Sequence, residues 1–190
     1  ELYGVKENPF STSPLLVKGG IIPLDSFVGR TGEIKRLTKI LGSKGGSRTL
    51  VYGDVGVGKT TFVNVIRGHA YEKGFFTPFK EIAVQEEWNS SEFILNTLTA
   101  IYSSLKLMKE KPIEDTLFKR LNSMLELGET NLNFNVEIAG FGGGLNKEQK
   151  QPIKVTLLAL QELFEEVITN INAKTGKETI IHYNNLELLS

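Results

Sequence analysis

Apolar residues recur at three- and four-residue spacing in five stretches of the chain. Residues spaced in this way share one face of a helix, so each stretch predicts an amphipathic helix. Gly42 follows the first stretch as a helix stop, and Asn89 with Glu92 forms a capping-box pattern at the start of the third. The predicted helices cover residues 34–41, 60–67, 89–105, 116–125 and 157–171.

Three further apolar segments predict strands. Residues 49–52 are a short apolar run of the kind that forms a buried parallel strand, and residues 79–85 and 179–183 are similar. Apolar and polar residues alternate over 132–138, which predicts a half-buried strand in a β-hairpin inserted at about 131–146. The order of strands and helices predicts an α/β fold with a parallel sheet covered by helices.

The 190 residues suit a single domain. Residues 1–26 are rich in glycine, proline and serine and predict an extended lead-in, so the domain itself should cover residues 27–190. No apolar run approaches the roughly 18 residues that span a bilayer, and we expect no membrane contact.

Composition narrows the classes of partner. Lysine and arginine together number 22, as do aspartate and glutamate, so bulk charge gives no sign of a nucleic-acid surface, although a local basic face stays open. The chain has no cysteine, which fits a reducing compartment. We therefore expect a cytoplasmic protein.

One motif carries specific chemistry. Residues 53–60 read Gly-Asp-Val-Gly-Val-Gly-Lys-Thr and match the G-x-x-x-x-G-K-[ST] pattern of a P-loop. Glycines let the backbone curl so that successive N–H groups point at phosphate oxygens, and the following helix adds its positive end. The residues expected to hold the phosphates are Gly53, Asp54, Val55, Gly56, Val57, Gly58, Lys59, Thr60 and Thr61.

Two side chains of this motif have separate expected roles. Lys59 supplies a compact cation for the β- and γ-phosphates, and the Thr60 hydroxyl can ligate magnesium. The motif therefore predicts ATP and Mg²⁺ as cofactors. The alternative is a glycine-rich turn before a helix, with a surface lysine.

A second motif lies upstream of the loop. Residues 27–34 read Phe-Val-Gly-Arg-Thr-Gly-Glu-Ile and resemble the F-V-G-R-x-x-E-[IL] box that precedes the P-loop in AAA+/STAND-type ATPases. The resemblance implies that Val28 and Gly29 lie against the adenine ring. It also implies a three-layer P-loop sheet with helices on both faces, here without the C-terminal lid. The alternative for the box is simple helix capping, with Gly29 turning the chain.

The last predicted strand occupies the place of the Walker B motif in that family. There an aspartate helps to hold magnesium, but Asn184 stands at the matching position. A neutral amide accepts a hydrogen bond from a magnesium-bound water without supplying charge, and Asn185 cannot act as a general base. Either hydrolysis is slow or absent, or Glu187 substitutes as the catalytic carboxylate. An engineered change at residue 184 and a simple turn after a buried strand also stay open.

The resemblance implies an ATPase that acts as a nucleotide-dependent switch, with hydrolysis weakened by Asn184. Its expected partners are ATP or ADP and either other domains of the same protein or neighbours in a homo-oligomer. One alternative is a non-hydrolysing nucleotide-binding scaffold. Another is part of a DNA replication initiator, since residues 8–10 (Asn-Pro-Phe) are similar to the start of archaeal origin-recognition-type ATPases. We expect the chain to be the N-terminal part of a larger protein, in which DNA contact would come from missing regions.

Overall fold

The computed structural model describes residues 29–41, 46–131 and 155–188. The chain divides into two compact units, Glu1–Lys73 and Gly74–Ser190. The predicted lead-in at 1–26 lies outside the described residues. So does the predicted hairpin at about 131–146, apart from Asn131 at its edge.

The first unit contains two helices, α1 (Thr31–Leu41) and α2 (Lys59–Glu72), and both were predicted, although each is longer than its apolar stripe indicated. Helix α1 starts with a hydrogen bond from the Ile34 amide to the Arg30 carbonyl (3.0 Å) and buries none of its side chains. Half of the residues of helix α2 are buried. Its buried residues are Phe62, Asn64, Val65, Ile66, Arg67, Gly68 and Ala70.

The prediction of a buried strand at residues 49–52 is wrong. This segment has no regular secondary structure, and the side chains of Leu50 and Tyr52 are 71% and 87% exposed. A strand needs a neighbour for its backbone hydrogen bonds, and no element described in the first unit pairs with this run. The strand was predicted from the apolar character of the segment alone, and apolar character does not show whether a second strand is present to pair with it.

Three helices, α3 (Ser90–Leu107), α4 (Asp115–Asn131) and α5 (Leu157–Thr175), build most of the second unit. Their apolar faces share one core, as their helical spacing predicted. The fully buried members of this core include Leu98, Ile101, Leu105, Leu121, Leu160, Leu163, Val167 and Ile171.

Helix α3 begins with the predicted capping box. The Asn89 side-chain oxygen accepts hydrogen bonds from the amides of Ser91 (2.9 Å) and Glu92 (3.1 Å). In return, the Glu92 carboxylate accepts one from the Asn89 amide at 2.7 Å. Backbone donors that the helix leaves without internal partners are thereby satisfied, which fixes where α3 starts.

The second unit also holds a small parallel sheet of two strands, β1 (Ile82–Ala83) and β2 (Tyr183–Asn184), in which Ile82 pairs with Tyr183. The strands lie in or at the end of the predicted segments 79–85 and 179–183, but they are shorter. A short 3-10 helix, Leu186–Leu188, follows β2. The described part of the chain is thus mostly helical, and the three-layer sheet stays a prediction.

None of the helices within the described ranges is both long enough and apolar enough to cross a membrane.

We expect Leu163→Ala to destabilise the second unit by about 2–5 kcal/mol, because Leu163 is completely buried in the core of α3, α4 and α5. Leu158→Ala is the matched control on the same helix, since its side chain is 64% exposed, and it should change stability by no more than about 0.5 kcal/mol. Urea denaturation followed by circular dichroism measures both. Equal effects of the two changes would contradict the placement of α5.

Candidate functional site

The glycine-rich loop at residues 53–58 leads directly into α2 and is exposed to solvent; the Val55 side chain near its tip is 97% exposed. Its three glycines have positive φ angles of 154° at Gly53, 83° at Gly56 and 80° at Gly58. Residues with a side chain of natural handedness rarely adopt such angles, so the fold of the loop depends on glycine at these positions. The three glycines of the sequence pattern are therefore the residues that bend this backbone.

Lys59, the first residue of α2, reaches back across the loop. Its ammonium donates hydrogen bonds to the carbonyl oxygens of Gly53 and Asp54, both at 2.8 Å. These two bonds connect the end of the loop to its beginning. They hold the positive charge beside the curled backbone, where a phosphate ligand would need it.

The N-terminus of α2 faces the same loop. Gly58 is the residue before the helix, and it has no side chain with which to cap the first amides. The helix begins with a hydrogen bond from the Phe62 amide to the Gly58 carbonyl (2.9 Å), so the amides of Lys59, Thr60 and Thr61 lie in its first turn. Such amides carry the positive end of the helix dipole and favour an anion.

Sequence reasoning missed one residue of this site, Arg30. Its guanidinium donates a hydrogen bond to the Val57 carbonyl at 2.9 Å and lies 5.8 Å from the centre of the Phe62 ring. Arg30 belongs to the F-V-G-R box, so the sequence did contain a signal for it. The resemblance assigned a role only to Val28 and Gly29, the two residues before it. Gly29 is exposed with a φ of 100°, and Val28 lies outside the described residues.

The candidate metal and catalytic residues of the Walker B-like segment belong to the second unit. Asn184 ends β2, where its carbonyl accepts a hydrogen bond from the Val84 amide (2.9 Å). Asn185 has a φ of 60°, and its carbonyl accepts from the Leu188 amide at 3.1 Å. Glu187 is exposed in the 3-10 helix. Asn184 thus belongs to the strand, and Asn185 begins the turn that leads into the 3-10 helix.

Aromatic side chains support the end of β2. The Tyr183 ring stacks on the Phe93 ring of α3, with centroids 4.6 Å apart. Trp88 contacts the Phe93 ring edge-on, with centroids 6.4 Å apart. The Tyr183 hydroxyl lies 3.0 Å from the Thr97 hydroxyl. Burial raises the pKa of Tyr183 above its ordinary value of 10.0, while the contact with Thr97 acts in the opposite direction. These contacts fix the strand that carries Asn184.

The described residues contain no group of three or more histidine, aspartate or glutamate side chains placed to hold a metal ion. The structure brings Arg30 together with the loop residues 53–61 in the first unit, and it places Asn184 and Glu187 in the second. A metal bound at the loop would have the Thr60 hydroxyl and phosphate oxygens as its ligands. Magnesium accepts such a set, because it commonly combines one or two protein ligands with phosphates and water.

The first unit also has an open cleft of about 480 Å³ between α1 and the far end of α2. Basic residues predominate around it, and it is lined by Ile34, Lys35, Thr38, Lys39, His69, Glu72 and Lys73. Helix α2 has 14 residues and is about 21 Å long, so the cleft and the glycine loop lie at opposite ends of it. The cleft is therefore separate from the glycine-rich loop.

We expect Thr97→Val to move the titration of Tyr183 to higher pH, because burial then raises its pKa without opposition from the Thr97 hydroxyl. Because the pKa of Tyr183 is higher in the folded state than in the unfolded state, the folded protein binds this proton more tightly. The resulting contribution to the free energy of unfolding is present below pH 10 and is lost as the pH rises through the folded pKa. The ¹³Cζ signal of labelled Tyr183 reports the midpoint.

Thr99→Val is the control for this titration. Thr99 lies on the same helix and its hydroxyl bonds the Leu95 carbonyl (2.8 Å), so the midpoint of Tyr183 should stay where it is in the unchanged protein. An unchanged midpoint in Thr97→Val would contradict the described contact, and a lowered midpoint would show that the Tyr183 hydroxyl is its donor.

No protein-family model matches the chain, and comparisons with curated proteins and with solved structures find no match either. The functional interpretation therefore depends on the motifs and on the geometry of the loop.

Proposed function

We propose that this chain binds ATP together with magnesium through residues 53–61 and acts as a nucleotide-dependent switch. The single observation that carries the proposal is the loop itself. A complete P-loop sequence motif coincides with three glycines at positive φ and with Lys59 folded over the curled backbone. Two hydrogen bonds from the Lys59 ammonium to the start of the loop support this proposal over an ordinary turn with a surface lysine.

The chemistry of the loop favours a phosphate chain over a single charged group. Backbone amides, the start of α2 and the Lys59 ammonium offer several donors within one short segment. A triphosphate presents oxygens along its length, so it can use many of these donors at once. Basic side chains also outnumber acidic ones among the described residues of the first unit, which favours the approach of a polyanion.

Magnesium is part of the proposal because the Thr60 hydroxyl lies in the first turn of α2, directly after Lys59. The Thr60 hydroxyl would help to hold the ion there, and the ion would neutralise part of the charge of the phosphates. Thr60 orients the ion, and Lys59 and the loop amides orient the phosphates. For the adenine end, we retain Val28 and Gly29 as proposed contacts, on the strength of the F-V-G-R box alone.

The switch function follows from linkage. ATP and ADP differ at the γ-phosphate, where Lys59 and the metal would act, so the two nucleotides can favour different arrangements of the loop and its neighbours. The proposed recipients of this change are other domains of the same protein or neighbouring subunits. A nucleotide can shift such an equilibrium only by its difference in affinity for the two states.

A non-hydrolysing scaffold is the second candidate, and Asn184 favours it. The residue is a neutral amide at the end of β2, followed by a turn, and the nearby Glu187 is exposed in the 3-10 helix. An amide supplies no charge to a metal and cannot accept the proton of an attacking water at neutral pH. Binding without turnover would then be the working state of the protein.

We expect Lys59→Ala to weaken binding of magnesium-ATP roughly tenfold to a hundredfold, because it removes charge-assisted hydrogen bonds to the phosphates. Isothermal titration calorimetry with ATP and ADP, with and without magnesium, measures the change. Lys35→Ala removes the same charge from an exposed site on α1 and should leave the affinity almost unchanged. Unaltered affinity in Lys59→Ala would exclude the loop as the nucleotide site.

We expect Asn184→Asp to raise the rate of phosphate release from ATP by at least about tenfold, since it supplies the carboxylate that AAA+/STAND-type ATPases use at the matching position. The matched control is Gln161→Glu, which adds the same charge at an exposed position of α5 and should not raise the rate. A steady-state phosphate assay over hours follows both. No release from either variant, with ATP binding intact, would favour the scaffold over the hydrolase.

A further inference from the structure

The geometry points to Arg30 as a positioning residue that sets the direction of the Val57–Gly58 peptide and thereby couples the start of α1 to phosphate affinity. The inference rests on the proposed function, since it concerns the regulation of the same loop. It assigns a role to a residue that the sequence resemblance left without one.

Arg30 makes contacts in three directions. Its carbonyl accepts the first hydrogen bond of α1, from the Ile34 amide at 3.0 Å. Its guanidinium donates to the Val57 carbonyl at 2.9 Å and lies 5.8 Å from the centre of the Phe62 ring. A single residue thus joins α1, the glycine loop and the first turn of α2.

The contact with Val57 fixes more than one atom. A trans peptide is planar, and its C=O and N–H groups point in opposite directions. When Arg30 holds the Val57 carbonyl, it also sets the direction of the Gly58 amide, which then points away from the guanidinium. Gly58 lacks a side chain and has a φ of 80°, so little else about the residue restrains this peptide.

Lys59 acts on the other end of the loop. Its ammonium holds the carbonyls of Gly53 and Asp54, while Arg30 holds that of Val57. Arg30 therefore positions an amide without meeting the ligand, whereas Lys59 is placed to meet it. This division of roles separates the effects expected from changing each residue.

Coupling to α1 follows from the backbone of Arg30. Its own φ is 50°, an uncommon value for a residue with a side chain, and the residue both precedes α1 and bonds the loop. A partner that moves the start of α1 would move the guanidinium and loosen the Gly58 amide. Linkage requires the reverse as well, so phosphate binding would stabilise the start of α1.

The test uses the full chain labelled with ¹³C-carbonyl valine and ¹⁵N-glycine. Only Val–Gly peptides then give a correlated signal, and the sequence has three of them, at residues 28–29, 55–56 and 57–58. The 57–58 signal reports the Arg30 contact directly, and the 55–56 signal is an internal control in the same loop. The variants are Arg30→Ala, Arg30→Lys and, as a control on the exposed face of α1, Arg36→Ala.

We expect Arg30→Ala to shift the 57–58 signal, to leave the 55–56 signal nearly in place, and to weaken magnesium-ATP binding about fivefold. Arg30→Lys keeps a donor and should restore most of both properties, whereas Arg36→Ala should match the unchanged protein. Thermal unfolding of each variant shows that the domain stays folded. Restoration by lysine distinguishes positioning by a hydrogen bond from simple loss of packing on Phe62.

Two results would overturn the inference in distinguishable ways. If the unchanged protein binds ATP and Arg30→Ala binds it equally well, or leaves the 57–58 signal unshifted, the positioning role is wrong and the proposed function stands. If the unchanged protein binds no nucleotide, the proposed function fails and the inference fails with it.

Discussion

The backbone of residues 53–58 has no helix or strand to hold it, so its shape depends on hydrogen bonds from two cationic side chains. Lys59 binds the carbonyls at the start of the loop, and Arg30 binds the carbonyl just before its end. Glycines at positive φ make the curl possible, but they do not select one curl among many. The proposed nucleotide chemistry therefore depends on electrostatic contacts that salt and ligands can both modify.

The two compact units differ in what stabilises them. The second has a shared apolar core among three helices and a capping box at the start of α3. In the first, α1 buries none of its side chains, and the loop before α2 is exposed. Acidic side chains outnumber basic ones among the described residues of the second unit, and the reverse holds in the first. The neutral total charge of the chain conceals this division.

Helices were the most predictable part of this fold, because their spacing and caps are local. Asn89 and Glu92 lie three residues apart, and their reciprocal bonds require no distant partner. The segment at residues 49–52 shows the limit of such reasoning, since a strand is defined by a neighbour that the segment itself cannot specify. Arg30 was missed for a related reason. Its contact with Val57 spans 27 residues, and neither residue alone indicates it.

The environment of Gly56 and Gly58 separates two reasons for using glycine. A side-chain carbon built on either residue would meet no protein atom within 4 Å, so the packing of the chain itself does not require a small residue there. What it requires is the handedness of the α-carbon, since positive φ is costly for L-amino acids. A D-alanine introduced by chemical synthesis would satisfy this backbone, whereas the natural alanine would strain it. Within the chain itself, these two positions are thus restricted by chirality rather than by volume.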